Sequence, residues 1–202
     1  MSKGEHTRQA IIDEAMRMAS TLGLEALSIG TLAQSTGLSK SGLFAHFGSK
    51  EKLQIQVLEA AAEVFVREIV LPAIREPAGE PRVKALFHNW LRWATGDVLP
   101  GGCLFVTAAA EFDDRPGSVH DTLVRTQRDW NQTLRRAAEI AIREGHFRPD
   151  VDAGLFAFSA YGVMLSAHHY HRLLAQPDAM SYAERAFEKL LQFARGEVPP
   201  AG

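Results

Sequence analysis

The stretch SIGTLAQSTGLSKSGLFAHFGSKEKL, residues 28–53, decides how this chain folds and where its function lies. Three serines in it stand where helix N-caps are expected: Ser28, Ser39 and Ser49. Gly37 and Gly48 separate the segments that follow these serines, as glycines do at helix ends. The stretch therefore predicts two short helices joined at a glycine and the start of another helix, which is the pattern of a helix-turn-helix.

Helical spacing extends from this stretch in both directions. Upstream, apolar residues from Ile11 to Leu22 recur on one face with the period of an α-helix, and Gly23 ends the pattern. Downstream, a long fourth helix follows Ser49, and Pro72 is expected to stop it because proline cannot continue a helix.

The remainder of the chain is also predicted to be helical. Residues 103–112 are short and mostly apolar, which favours a buried helix and leaves a strand open. Asp152 and Ser181 are expected to cap the last two helices. With about nine helices and no convincing alternating pattern, the sequence predicts an all-α fold.

Composition excludes several classes of protein. The chain has 202 residues, of which 46% are apolar and 23% are charged, with a net charge of −2 that excludes a polybasic protein. The single cysteine, Cys103, cannot form an internal disulfide, so a reducing cytoplasm fits best. No apolar run approaches the length of a membrane helix, and the polar N-terminus is unlike a signal peptide. We therefore expect a cytoplasmic protein with no membrane partner.

The second short helix, roughly residues 39–47, carries chemistry that suits nucleic acid. Its small residues let a helix N-terminus approach a groove floor, and serine hydroxyls and helix N-termini suit phosphate oxygens. Lys50, at the start of the next helix, is placed to clamp the sugar-phosphate chain. The candidate DNA-binding residues are Ser28, Ser39, Lys40, Ser41, Gly42, Phe44, His46 and Lys50. For Ser28 the first role is that of a cap, and His46 is equally well read as a solvated surface histidine.

The pattern from about Thr7 to Leu58 resembles the DNA-binding domain of the TetR family of bacterial transcription regulators. The matching positions are Arg8, Ile11, Ala15, Gly23, Ser28, Ile29, Leu32, Ala33, Gly37, Leu38, Ser39, Lys40, Leu43, Phe44, His46, Phe47, Ser49, Lys50, Glu51 and Leu53. The chain departs from the family's usual residues at Ser41, Gly42 and Phe44, and this shifts expected affinity toward Lys40, His46 and Lys50.

The resemblance implies an all-helical homodimer that binds a palindromic operator in double-stranded DNA. It further implies that a small molecule binds the C-terminal part, with a helix-turn-helix domain at residues 1–55 and a ligand-binding and dimerisation domain at residues 56–202. No cofactor beyond this inducer is expected, and the protein is not expected to be an enzyme. The acidic residues Asp113 and Asp114 adjoin a Pro-Gly loop and are better explained by turn formation than by acid/base catalysis.

Aromatic residues concentrate between the predicted fifth and seventh helices. They predict an apolar inducer pocket between helices, although each residue taken singly is also explained as plain core. The candidate ligand-binding residues are Phe87, Trp90, Trp93, Cys103, Phe105, Phe112, Trp130 and His168. The effector is accordingly expected to be apolar or aromatic. Histidines cluster at residues 168–171, but no further ligand is placed to complete a metal site, so none is expected.

The last two predicted helices carry wide small-and-apolar faces. The resemblance implies that such helices pair across a two-fold axis, and the alternative is that they only cover their own core. The candidate interface residues are Leu155, Phe158, Gly162, Leu165, His169, Ala186, Leu190 and Phe193. The function predicted is a transcriptional repressor released from DNA by a small molecule. The alternatives are a DNA-binding regulator without small-molecule input, and a small helical enzyme or lipid-binding module.

Overall fold

A computed structural model of the chain describes residues 3–96 and 98–197, and these residues form helices and connecting turns without a strand. The α-helices are α1 Lys3–Leu22, α2 Ile29–Thr36, α3 Lys40–Phe47, α4 Lys50–Phe65, α5 Leu71–Arg75, α6 Glu80–Ala94, α7 Leu104–Phe112, α8 Ser118–Arg143, α9 Ala153–Arg172 and α10 Ala179–Arg195. A π-helical turn, Val66–Val70, joins α4 to α5 without a break. Counted as one, this run leaves nine helices in the described part of the chain, so the all-α prediction is confirmed.

The predicted caps of the helix-turn-helix are confirmed. The Oγ of Ser28 accepts the N–H of Thr31 at 3.1 Å, and the Oγ of Ser39 accepts the N–H of Gly42 at 3.1 Å. The Oγ of Ser49 accepts the N–H of Lys52, also at 3.1 Å. Each serine accepts a backbone N–H that its helix leaves unpaired, and these three serines therefore determine where their helices begin.

Two predicted helix boundaries are wrong. Pro72 does not stop the fourth helix, because it lies in the first turn of α5, where its missing N–H costs no hydrogen bond. Ser181 does not cap the last helix, which begins at Ala179 with Asp178 as its N-cap residue. The earlier start places Ala179 on the buried face of α10 together with Ala183. Residues 103–112, for which a strand was open, form the helix α7.

The described residues divide into two compact units, of which the first comprises residues up to Phe65 and Gly96–Gln127. Its helix-turn-helix is anchored by fully buried apolar residues on α2, α3 and α4, namely Leu32, Leu43 and Leu53. The N–H of Gly101 donates to the Oγ of Ser20 at 3.1 Å. A Cβ at Gly101 would lie 1.6 Å from the carbonyl oxygen of Ser20, so only glycine allows this approach.

The second unit comprises Val66–Thr95 and the chain from Arg128 onward. Phe87 on α6 stacks on Phe187 of α10, with ring centroids 3.8 Å apart. The buried amide of Asn89 donates to the carbonyl of Ile69 at 2.9 Å, which satisfies an acceptor inside the π turn. None of the helices in the described residues is long and apolar enough to cross a bilayer.

Candidate nucleic-acid interface

Helix α3 has one buried side and one exposed side. Leu43 and Phe47 face the core, with 0% and 2% of their surface exposed. The predicted DNA-binding residues of this helix and its cap are all exposed: Ser39, Lys40, Ser41, Gly42, Phe44 and His46. Phe44 is 59% exposed, which is unusual for a large apolar side chain. The buried residues hold α3 in place while its outer side stays open to a partner.

The N-terminus of α3 is built for close approach. The side chains there are short, and the Oγ of Ser39 lies 3.2 Å from the Oγ of Ser41. A Cβ at Gly42 would meet the Oγ of Ser39 at 3.1 Å, so the glycine keeps the cap uncrowded. The N–H groups in the first turn of a helix have no acceptor within the helix, and here the side chain of Ser39 accepts only one of them. This end of α3 therefore offers hydroxyls and N–H groups to an anion.

Lys50 opens α4 and is already engaged. Its Nζ donates to Oε1 of Glu25 at 2.9 Å, and the two side chains are 41% and 43% exposed. This hydrogen bond is the main reason why the pKa of Glu25 lies below its usual range. Sequence reasoning placed Lys50 at a helix start but missed Glu25, because a contact between residues 25 positions apart leaves no periodic signal.

Ser28 is half-buried at the start of α2 and takes part in a reciprocal cap with Thr31. Its hydroxyl is thus committed to the helix. The structure brings the eight predicted DNA-binding residues together in one unit, at the N-termini of α2 and α4 and along α3. Their contact with DNA remains a prediction.

A three-helix core that exposes the second helix of a helix-turn-helix defines the class of DNA-binding regulators. Residues 11–57 match the family described as bacterial regulatory proteins, tetR family. Residues 79–187 match the tetracyclin repressor-like C-terminal domain. The chain belongs to the TetR family of transcriptional regulators.

Individual relatives agree with this assignment along nearly the whole chain. TcmR, an HTH-type transcriptional regulator of Streptomyces glaucescens, is 28% identical over 97% of this chain and 86% of TcmR. A TetR transcriptional regulator from Chloroflexus aurantiacus, known from its crystal structure, is 28% identical with a TM-score of 0.82, and the match covers 96% of each chain. AibR, solved with isovaleryl coenzyme A and operator DNA, is 20% identical over 92% of this chain and 96% of AibR. Its TM-score of 0.71 shows a shared fold.

The predicted ligand-binding residues are all buried, and the structure distributes them over both units. The first unit holds Cys103, Phe105 and Phe112, and the second holds Phe87, Trp90, Trp93, Trp130 and His168. Phe87 is occupied by its stack with Phe187, while Trp90 meets Tyr161 edge-on at 6.4 Å between ring centroids.

His168 differs from the other predicted ligand-binding residues. It is 7% exposed, and its Nε2 has no hydrogen-bond partner among the described residues. Burial, together with Arg172, His171 and His169, lowers the pKa of His168 to about 4. The imidazole is therefore neutral near pH 7, and its Nε2 is available to hydrogen-bond a ligand. The described residues contain no group of three or more side chains placed to hold a metal ion.

The predicted interface residues lie mostly on the surface. Phe158, Phe193 and Leu155 are 75%, 63% and 60% exposed. Leu165, His169 and Ala186 are also exposed, and Gly162 and Leu190 are half-buried. Tyr170, in the cluster at residues 168–171, and Tyr182, which sequence reasoning missed, line a groove of about 550 Å³ between α9 and α10. The helical spacing of Tyr182, Ala186 and Phe193 is the signal that would have found Tyr182.

Proposed function

We propose that this chain is a homodimeric repressor that binds a palindromic operator and leaves it when a small molecule binds. The observation that carries the proposal is α3, a short capped helix that turns Leu43 and Phe47 inward and Lys40, Ser41 and His46 outward. A bacterial cytoplasm is the compartment that fits such a regulator. It works without a cofactor or a metal ion.

In the proposed complex, α3 of each protomer enters the major groove. Ser41, Gly42 and Phe44 lie near the base edges, because they occupy the exposed side of α3. Lys40, His46 and Lys50 contact phosphates together with the cap residues Ser28 and Ser39. Residues 1–55 act as the reading domain, and residues 56–202 bind the ligand and dimerise.

The exposed apolar face of α9 and α10 is the proposed dimer interface. A face with Phe158, Phe193 and Leu155 mostly exposed costs free energy in water, and pairing with a second copy buries it. A two-fold dimer also matches a two-fold operator, since its two recognition helices then meet equivalent half-sites.

The proposed ligand-binding residues of the second unit are Phe87, Trp90, Trp93, Trp130 and His168, all of them buried. An apolar or aromatic effector fits the side chains, and the unpartnered Nε2 of His168 suits one polar group on it. AibR, which was solved with both an acyl coenzyme A and operator DNA, supports the link between a small molecule and DNA binding. The ligand shifts the protein toward a conformation whose recognition helices no longer fit both half-sites.

The test is a mobility-shift assay with genomic fragments in excess competitor DNA, repeated with apolar and aromatic compounds. We expect the protein to retain one or a few fragments, and we expect a compound to release them while the protein stays dimeric. Retention that no compound reverses would leave a regulator without small-molecule input. Absence of selective retention would contradict the proposed function.

A further inference from the structure

The carboxylate of Glu25 is shared by two cations. Its Oε1 accepts from the Nζ of Lys50 at 2.9 Å, and its Oε2 lies 3.5 Å from a guanidinium nitrogen of Arg115. Glu25 lies in the turn between α1 and α2, Lys50 is the first residue of α4, and Arg115 follows α7. One side chain thus connects three elements of the first unit.

The turn that carries Glu25 is held from two sides. The backbone N–H of Glu25 donates to Oε2 of Glu111, near the end of α7, at 3.0 Å. Gly23 has a φ of 92°, and a Cβ there would lie 2.0 Å from Oε1 of Glu111, so this carboxylate rests directly on the turn. The buried amide of Gln54 on α4 donates to the carbonyl of Leu24 at 2.8 Å. The position of Glu25 is therefore set by the backbone and does not depend on Lys50.

We propose that Glu25 is a positioning residue for DNA binding, a counter-ion that holds Lys50 in the free protein and releases it to an operator phosphate. The inference rests on the proposed function, in which Lys50 contacts phosphate. Glu25 itself touches no DNA. Arg115 stays with Glu25 after the release, so the exchange leaves no carboxylate without a cation.

The energetics allow this exchange. Pairs with exposed side chains are weak, and Lys50 and Glu25 are both about two-fifths exposed. A duplex phosphate that takes Lys50 gains from counterion release. Arg115 weakens the hold on Lys50 because it competes for the same carboxylate. The strength of the ion pair between Glu25 and Lys50 then depends on Glu111 and Arg115, which contact Glu25 from the end of α7 and just after it.

A double-mutant cycle tests the inference. The probe is a short random-sequence duplex at low salt (about 50 mM), because phosphate contacts do not depend on sequence. Glu25→Gln frees Lys50 and is expected to tighten binding about threefold, a size typical of exposed ion pairs. Arg115→Gln leaves Lys50 as the main cation on Glu25 and is expected to weaken binding by a similar factor, while Arg115→Lys keeps it near wild type. Both changes should vanish when Lys50→Ala is also present.

The controls separate this mechanism from simpler ones. Glu51→Gln removes an exposed carboxylate next to Lys50 in the chain, and its effect on affinity should persist in the Lys50→Ala background. If Glu25→Gln tightens binding equally without Lys50, the effect is general electrostatics and the inference is wrong. It is also wrong if Arg115→Gln weakens binding in the Glu25→Gln background, because Arg115 then contacts phosphate itself. Thermal unfolding of each variant checks that its fold is intact.

The inference and the proposed function fail in different ways. If Lys50→Ala weakens binding but Glu25→Gln changes nothing, only the inference is overturned. If Lys50→Ala leaves affinity and its salt dependence unchanged, Lys50 does not contact phosphate and the inference is overturned, whereas the proposed function is overturned only when no genomic fragment is selectively retained.

Discussion

Lys50 combines two features of a phosphate contact, a flexible charge and a helix start. It is the first residue of α4, where the helix dipole and free N–H groups also attract an anion. We expect Lys50→Ala to weaken binding to all DNA sequences about equally and to reduce the salt slope by about one. Anisotropy titrations at several salt concentrations measure both quantities.

The matched control for this change is Lys84→Ala. Lys84 pairs with Glu80 at 2.7 Å in the second unit, far along the chain from the helix-turn-helix. Its loss should leave the salt slope unchanged. A slope unchanged in Lys50→Ala would show that Lys50 does not contact phosphate.

His168 predicts how stability depends on pH. Burial, together with Arg172 and the neighbouring His171 and His169, lowers its pKa from 6.5 to about 4 in the folded protein. Between these values the unfolded chain binds a proton that the folded protein refuses, so stability falls as pH falls. The loss is at most about 1.4 kcal/mol per pH unit, and this contribution is fully present above pH 6.5.

Urea unfolding at about pH 7.5 and pH 5 checks this expectation. His168→Gln should show a smaller loss of stability between the two conditions than wild type. His88→Gln, which changes an exposed histidine, should behave as wild type does. Equal pH dependence in wild type and His168→Gln would contradict the assignment.

At the scale of the elements, the loop before α7 depends on a close approach to α1. Because a Cβ at Gly101 would overlap the carbonyl of Ser20, we expect Gly101→Ala to destabilise the protein by about 3 kcal/mol. Gly30→Ala in α2 is the matched control, since its Cβ would make only ordinary contacts. Thermal and urea unfolding compare the two variants. A Gly101→Ala protein as stable as wild type would show that the loop packs differently.

Local chemistry decides which elements the sequence can predict. The hydroxyls of Ser28, Ser39 and Ser49 each accept a backbone N–H three residues further along the chain. The start of each helix can therefore be predicted from residue spacing alone. The prediction that Pro72 stops the fourth helix was wrong because the preceding π turn lets a new helical segment start just before this proline. No local residue pattern marks that turn. The partner of Lys50, Glu25, lies in the α1–α2 turn, so only the fold could reveal it.

At the scale of the whole molecule, the exposed face of α9 and α10 predicts the oligomeric state. Phe158 is 75% exposed in the single chain, and an aspartate there would remove apolar area from the proposed dimer interface and bring a charge into it. We expect Phe158→Asp to raise the dimer dissociation constant at least about 100-fold. Sedimentation measures this constant. Leu22→Asp, at a residue that is 61% exposed on α1, should leave the dimer intact.

A Phe158→Asp protein that remains as dimeric as wild type would remove α9 and α10 from the interface. DNA binding would then depend on another pairing of the two protomers, because a two-fold operator requires a two-fold protein.

The net charge of the whole molecule determines how strongly it is attracted to DNA of any sequence. A chain at −2 has no general attraction for nucleic acid, so binding depends on a few cations at helix ends. Two copies double those contacts, and engagement of one half-site raises the effective concentration of the other. We therefore expect weak non-specific binding and specificity that requires both half-sites.

Two copies of α3 are proposed to read a two-fold DNA site, and selection of bound duplexes from a random pool measures this. We expect an enriched palindrome whose half-sites lie about 34–36 Å apart, or a multiple of that distance. We also expect Phe158→Asp to enrich nothing under the same conditions. A pool without enrichment, or a single asymmetric site bound by one protomer, would contradict the reading of a two-fold site by α3.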